Sequence, residues 1–551
     1  MKKEFQGVKA SYATVEAITN EKPLDLPEEE RKKLVKELKE AISPERVRDE
    51  LHIIGYYNYY GYHPMGRTTG FKLPHVVVYP KSTEEVQKVM LIASKYRVPV
   101  IPVSGHSMST IICPGGIIVD LTSMNKIHKI DLEHGYAVID AGVTIGQLKR
   151  AIGPNFIIAK GSYPESYCVL SPLIANLAQH SFINRMLHQI IGMEIVMPDG
   201  TILYTGSMVF GDLSDHWSDF EASFSLLKDL FLPACGSTGI VTKAAIRLWP
   251  VLDRAAIFVY GFNDFASAYR FTHAISKSPM IDQAMVFPWV SVGFFGGGSL
   301  MFGLDWFECR ANCDQDNPHR DIFPYAYYAF IQTRGYREEV EAVEKVAQRI
   351  AGQFNGRYLP ENDLFNWPAL GGWYIWLLMS YLEKTPEELS EYIERLPLYI
   401  RDEYRKETSH PWDEYYNYPG IIAGPVNEII RFYDGLKMKL RELGWPNFGF
   451  YTRMIHYGQT PWFRFFPFLD APSPEEEKKA CAIIDSVMEW VFSNYNVYPG
   501  GAAWFYMNDS NNPAEVTGRA KPVRRLLRAV QREFDPDNIL RPVAKKYTLL
   551  L

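Results

Sequence analysis

From residue 27 to residue 50 the chain reads PEEERKKLVKELKEAISPERVRDE, with apolar residues at helical spacing among charges. This pattern predicts a surface helix with Pro27 in its first turn and a short second helix after Ser43-Pro44. At His75 the period changes. VVVYP is short and β-branched and predicts a strand, and Ser82 ahead of Glu84 and Glu85 has the chemistry of a helix cap. The helix EEVQKVMLIASKYR and a second strand, VPVIPVS, complete a strand–helix–strand unit. GGIIVDL predicts a third strand, and the stretch after it predicts two strands joined at His134-Gly135. TIGQLKRAI predicts a helix capped by Thr144. GMEIVMPDGTILYTG predicts a hairpin turning at Pro198-Asp199-Gly200, and GIVTKAAIRLWP predicts a strand ending at Pro250.

Beyond about residue 252 the patterning shifts to strands and helices rich in aromatic residues, with helices expected near 337–352, 386–405 and 474–495. KPVRRLLRAVQREFDP predicts one more helix before the chain closes at NILRPVAKKYTLLL. No segment of 20–50 residues repeats, which argues against a solenoid or propeller. Aromatic residues make up 14% of the chain, with 34 Tyr and 12 Trp, many of them beyond residue 285. That enrichment fits either a large core with tyrosine hydroxyls at its rim or an aromatic-lined pocket for a flat ligand.

Charge and cysteine usage narrow the classes. The net charge is -6 with no long run of one sign, which gives no support to a nucleic-acid or anionic-membrane surface. Of the six cysteines only Cys309 and Cys313 are close, without a second Cys or His pair at zinc-site spacing. The N-terminal residues are charged, and no apolar run approaches the roughly 20 residues of a membrane span. The expectation is a soluble protein of a reducing compartment, the cytoplasm.

The chemistry is carried by loops. PVSGHSMST (Pro102–Thr110) follows a strand directly, and its small residues let successive backbone N–H groups converge on an anion such as a pyrophosphate. It is neither a GxxxxGK[ST] loop nor a GxGxxG fingerprint, so a nicotinamide site of that kind has no support. It is followed in order by GGIIVDLTSMNKI, YAVIDAGVTIGQL, GMEIVMPDGTI and GSTGIVTKAAIRLWP.

In that order the five blocks resemble the FAD-binding domain of the vanillyl-alcohol oxidase and p-cresol methylhydroxylase superfamily. The resemblance covers about residues 74–252 and extends weakly to FDPDNILRP near the C-terminus. It implies an α+β fold: a two-subdomain FAD-binding domain plus a cap domain on an antiparallel sheet. The implied division is a helical lead over 1–73, the FAD-binding domain over 74–252, the cap over 253–499, and a return to the FAD-binding domain over 500–551. Ser104, Gly105, His106, Ser107, Met108 and Ser109 would wrap the FAD pyrophosphate, and Gly142 would allow close approach near the adenine. Gly161, Ser162 and Tyr163 would pass along the flavin, as would the stretch holding Ser171 and Asn176. Gly236, Ser237, Gly239, Ile240 and Val241 would hold the ribityl and diphosphate region. Gly105-His106-Ser107 matches a motif whose histidine, in some relatives, is bonded to the flavin, so His106 is the candidate for covalent attachment. Two departures stand out: Pro172 where relatives have a Gly-Gly pair nearby, and Arg541-Pro542-Val543-Ala544-Lys545 where relatives close on Pro-Gly-Lys.

Substrate chemistry on this fold needs a group that binds or deprotonates the donor. Arg453 and His456 lie where phenol-oxidising relatives carry an active-site His, and could hold a phenolate or a carboxylate. Glu165 lies near the place of a catalytic Asp, although it reads equally as a solvated loop acid. The return segment GAAWFY lacks the family's Tyr-Arg pair, which leaves Tyr506 as a substitute. No metal site is expected. The leading expectation is oxidation of an alcohol or alkylphenol by hydride transfer to flavin N5, with oxygen or a redox protein as electron acceptor and a possible homodimer. The alternatives are a 2-hydroxy-acid or sugar-lactone dehydrogenase, and a non-catalytic flavin-binding subunit of a larger complex.

Overall fold

The computed structural model describes residues 26–57, 73–104, 116–158, 165–174, 189–211, 216–218, 231, 238–295, 322–382, 384–396, 420–445, 448–455, 457–467, 474–499, 521–537 and 539–540. These residues form two compact units, one containing 26–250 with 521–540 and the other 251–499. Among them no helix is long and apolar enough to cross a membrane.

The first unit contains two main sheets. Strands β1 (Val47–Arg48), β2 (Val76–Val78), β3 (Val100–Val103) and β4 (Ile117–Asp120) form a sheet in the order β1-β2-β4-β3. Both β2 and β3 pair parallel with β4, so the strand–helix–strand unit read from the sequence straddles a third strand. Its helix, Thr83–Tyr96, is capped by Ser82, whose hydroxyl accepts from Glu85 N at 3.3 Å. The C-terminal segment meets this sheet at its start: Val100 N donates to Ile539 O at 2.8 Å. Asp535 fixes that segment by accepting from Ile539 N and Leu540 N at 2.7 and 2.8 Å.

The second sheet is antiparallel. It contains β5 (Ile127–Asp131) and β6 (Tyr136–Asp140); a short ladder beside it uses β7 (Phe156–Ile157). The chain adds β8 (Ile190–Val196), β9 (Ile202–Tyr204) and β10 (Ile240–Arg247), then closes the short ladder with β11 (Trp249–Pro250). The order is β5-β6-β10-β8-β9. The turns at Gly135 and Gly200 take positive φ, 70° and 82°, which glycine adopts without steric cost. Thr144 caps the helix Ile145–Ile152 in a reciprocal capping box with Gln147.

One core joins the two sheets. Val86, Val89, Met90 and Ala93 of the helix pack in the same cluster as Ile139, Met193, Ile195 and Ala244 of the second sheet. A buried carboxylate sits at this seam. Glu194 accepts from Thr83 Oγ1 at 2.6 Å, Thr242 Oγ1 at 2.9 Å and Lys243 Nζ at 3.0 Å. Burial alone would raise its pKa; the hydrogen bonds and the Lys243 charge outweigh burial and hold it below the ordinary 4.5.

The second unit is built on an antiparallel sheet of eight strands. They are β12 (Arg254–Phe262), β13 (Ile281–Pro288), β14 (Tyr327–Gly335), β15 (Arg357–Leu359), β16 (Gly420–Ala423), β17 (Phe448–Ile455), β18 (Thr460–Pro467) and β19 (Tyr498–Pro499). The order is β15-β12-β14-β13-β17-β18-β16-β19. Strand alternation sends Phe450 and Phe463 to one face, where Phe265 of the helix Phe265–Ile275 and Tyr433 of the helix Val426–Glu442 meet them. Phe287, Tyr328 and Phe330 point to the other face and pack on Trp373 of the helix Pro368–Tyr381. That helix is apolar nearly all round and correspondingly buried. The helix expected over 386–405 is seen only as Ser390–Glu394 among the described residues.

Two stability outcomes follow from the first unit. A Cβ on Gly142 would lie 2.3 Å from Leu121 O and 2.8 Å from Met124 O, both backbone atoms. Gly142→Ala is expected to cost about 2 kcal/mol through overpacking, read as a lowered thermal midpoint. Glu194→Gln is expected to cost about 2 kcal/mol near neutral pH through lost charged hydrogen bonds. Because Glu194's folded pKa is lowered, its contribution is present above the unfolded carboxylate pKa and is lost as pH falls through the lowered value. Denaturation of both proteins across the acidic range should therefore show the gap between them closing on acidification; a gap that widens contradicts the assignment.

Candidate functional site

Strands β2, β3 and β4 run in one direction, and their carboxyl ends lie at Val78, Val103 and Asp120. Open α/β sheets bind ligands outside such ends. Ser104 leaves from the end of β3, so the small-residue loop expected at a pyrophosphate starts at this edge. Asp120 is buried there, accepting from Thr122 N at 2.9 Å and from the Tyr57 hydroxyl. Burial and then the Asp120 charge push the Tyr57 hydroxyl well above its usual pKa, keeping it a donor. A sheet end with fixed acidic and tyrosine side chains and a Gly/Ser loop leaving it fits a dinucleotide held mainly by main-chain N–H groups. Gly105, His106, Ser107, Met108 and Ser109 themselves lie outside the described residues.

The other residues expected at the cofactor are distributed as follows. Gly142 makes a close approach to the chain's own turn after β4, its N–H donating to Met124 O at 2.8 Å. Ser171 sits half-buried in the short helix Leu170–Ile174, in which Pro172 is buried. Gly239 leads into β10, and a Cβ there would fall 2.5 Å from Ile195 Cγ2. Ile240 and Val241 are buried and pair with Val196 and Ile195 of β8. Gly161, Ser162, Tyr163, Asn176, Gly236 and Ser237 lie outside the described residues. A polar cleft of about 680 Å³, lined by Lys81, Thr83, Asn125, Lys126, His128 and Lys243 among others, contains none of the individual residues expected to touch the cofactor. It is not assigned to the cofactor.

Of the residues expected to act on substrate, Glu165 is half-exposed, with its carboxylate 2.8 Å from Lys149 Nζ. His456 and Tyr506 lie outside the described residues. Arg453 is buried on β17, and its surroundings are informative. The β17–β18 register places Arg453 opposite Trp462 and Tyr451 opposite Arg464, so four side chains share one face. The Arg453 guanidinium lies 5.1 Å from the Tyr451 ring centre and 5.5 Å from the Trp462 ring. Arg464 lies 5.6 Å from the same Tyr451 ring, and its Nη1 donates to Tyr451 Oη at 2.8 Å. Phe287 stacks on Tyr451 from β13 at 5.6 Å.

Two guanidinium groups on neighbouring strands, walled by rings, form an environment that favours an anion carried on a flat or apolar body. Guanidinium is weakly hydrated and presents a rigid fork of donors, so it survives burial better than an ammonium group. Arg464 was not singled out in the sequence, where it is embedded in WFRFFPF and reads as one polar break in an apolar strand. The available signal was the short turn at Tyr457-Gly458: it makes β17 and β18 a hairpin, and period-2 alternation then puts Arg453 and Arg464 on one face.

Residues 74–206 match the family model of an FAD binding domain. The chain is 30% identical over 226 residues to the glycolate oxidase subunit GlcD of Bacillus subtilis (strain 168), a match covering 39% of this chain and 45% of that protein. The chain thus spans about half the length of that relative. Against the D-2-hydroxyglutarate dehydrogenase of Stutzerimonas stutzeri (strain A1501) it is 23% identical, covering 92% of this chain and 98% of the other. In fold it resembles the 4-ethylphenol oxidase from Gulosibacter chungangensis, with a TM-score of 0.74 at 17% identity, covering 94% of this chain and 97% of that one. It likewise resembles p-cresol methylhydroxylase with substrate bound, with a TM-score of 0.71 at 20% identity and the same coverages. Both units of the α+β fold are included in these superpositions, and FAD is the cofactor this domain takes. The chain thus carries an FAD binding domain over residues 74–206 and shares the fold of 4-ethylphenol oxidase and p-cresol methylhydroxylase.

Proposed function

We propose that the enzyme oxidises an alkylphenol or aryl alcohol whose oxyanion is bound by Arg453 and Arg464. The observation that carries this reading is the shared face of β17 and β18, with two buried guanidinium groups set among Tyr451, Trp462 and Phe287. Bound FAD supplies the hydride acceptor, N5 of its flavin ring. The chain's own residues do the rest. Arg453 and Arg464 lower the energy of the substrate oxyanion, and the rings hold the aromatic plane and exclude water. His456 and Tyr506 are the proposed proton-handling groups, with Glu165 a third candidate. Oxygen or a redox protein takes the electrons onward, and the enzyme works in the cytoplasm as a homodimer.

A second reading has a specific observation behind it. The full-length alignment with a D-2-hydroxyglutarate dehydrogenase favours a 2-hydroxy acid, whose carboxylate would take the place of the phenolate between the same two arginines. The arginine pair serves both readings, because either oxyanion can accept two forked donors.

Removing one guanidinium tests the pair directly. Arg453→Met is expected to raise KM by roughly 30-fold or more, since a lost charged contact to a bound anion costs 2 kcal/mol or more. Flavin content should be unchanged, and a variant with wild-type KM contradicts the assignment. A further outcome concerns His106, which we propose as the point of covalent attachment because Gly105-His106-Ser107 continues directly from Ser104. Acid precipitation should leave flavin in the protein pellet for the wild type and release it from His106→Ala. Release from the wild type would rule the bond out.

A further inference from the structure

Asp131 ends β5, His134 lies in the tight turn that follows, and His216 lies in the described stretch 216–218. Although only His216 is distant in sequence, the three present one imidazole nitrogen or carboxylate oxygen each, all within 4.8 Å of one another. We propose that Asp131, His134 and His216 bind a divalent late transition-metal ion, Zn2+ foremost, and that the ion clamps the 216–218 stretch onto the β5–β6 turn.

The donor set decides the class of ion. Two imidazoles and one carboxylate suit Zn2+, Cu2+, Ni2+ and Co2+, whereas Mg2+ and Ca2+ take oxygen-rich sets. Bonds of about 2.1 Å in a tetrahedron separate neighbouring ligand atoms by about 3.4 Å. The two rings already lie with centroids 4.7 Å apart at 71°. Three protein ligands leave a fourth position for water.

The backbone around the cluster is held in place by several hydrogen bonds, most of which leave the ligand atoms uninvolved. His134 N donates to Asp131 Oδ1 at 2.9 Å, and Leu248 N donates to Gly135 O at 2.7 Å, which fixes the turn. Trp217 is buried, and its backbone N–H donates to Tyr136 Oη at 3.4 Å. Ser207 Oγ donates to His216 O at 3.0 Å and accepts from Ser218 N at 2.8 Å. The Asp131 carboxyl is held below its usual range, first by the His134 N–H. Asp131 also contacts His134 Nδ1 at 3.0 Å, and that contact must reorganise when the ion enters.

The test uses the full-length, flavin-loaded protein after treatment with a chelator. Calorimetric titration with Zn2+ near pH 7.5 should show one ion per chain, and the thermal midpoint should rise with added Zn2+. His134→Ala and His216→Ala should each weaken uptake at least 10-fold while leaving flavin absorbance and the metal-free midpoint unchanged. Should either variant fail to fold, electron paramagnetic resonance of the Cu2+-loaded wild type reads the ligands without substitution, and two equivalent-type nitrogen couplings are expected. Absence of one-to-one uptake, equal uptake by the doubly substituted protein, or a copper signal without imidazole nitrogen would each overturn the site.

Discussion

The buried carboxylate of Glu194 is the contact on which the geometry of the cofactor unit turns. It holds the first turn of the helix Thr83–Tyr96, through Thr83, to two residues of β10 in the second sheet. Apolar packing between helix and sheet supplies most of the stabilisation, but such packing is non-directional and would tolerate sliding. A carboxylate with three named donors does not slide. Its satisfied hydrogen bonds fix the helix against the second sheet, and β2 and β3, at either end of that helix, inherit the position. The carboxyl ends of the parallel strands, from which the Gly/Ser loop departs, are thereby placed relative to β6 and β10. Gly142 adds the complementary steric condition: the chain leaving β6 passes so close under the turn after β4 that only a glycine fits.

The second unit poses the opposite physical problem. Its sheet is lined with aromatic residues, yet Arg453 and Arg464 are buried on the same face as Tyr451 and Trp462. Placing two like charges on adjacent strands at low dielectric is unfavourable unless something offsets it. Ring quadrupoles and the Tyr451 hydroxyl contribute part of that offset. An oxyanion set beside the two guanidinium groups would add a further favourable interaction, stronger there than in water. This is why the arginine pair, and not the aromatic content alone, argues for an anionic substrate.

Local chemistry made much of the first unit legible. Ser82 and Thr144 announced their helices, and His134-Gly135 and Pro198-Asp199-Gly200 announced their hairpins, because caps and turns depend on a few adjacent residues. The parallel order was not legible: β4 enters between β2 and β3, and nothing in three short apolar runs states which lies in the middle. In the second unit the antiparallel sheet was expected only through family resemblance. Its order joins β13 to β17, more than 150 residues apart, and pairing at that range leaves no local trace. The helix Pro368–Tyr381 was missed because it is buried on every side and carries no amphipathic period. Arg453 was singled out by its position in a motif, while Arg464 became visible only once the hairpin register set the two side by side.

The central claim is that a flavin in the first unit is reduced by a substrate recognised as an oxyanion. The most direct measurement is anaerobic mixing of the purified protein with a panel of 4-alkylphenols, aryl alcohols and 2-hydroxy acids, following visible flavin absorbance. The account predicts an oxidised-flavin spectrum that bleaches rapidly with 4-alkylphenols, and that methyl ethers of the same phenols, which cannot form the oxyanion, leave unbleached. Bleaching by 2-hydroxy acids alone would move the substrate to the second reading. A protein that carries no flavin and takes up none, or one bleached equally by phenols and their methyl ethers, would contradict the account.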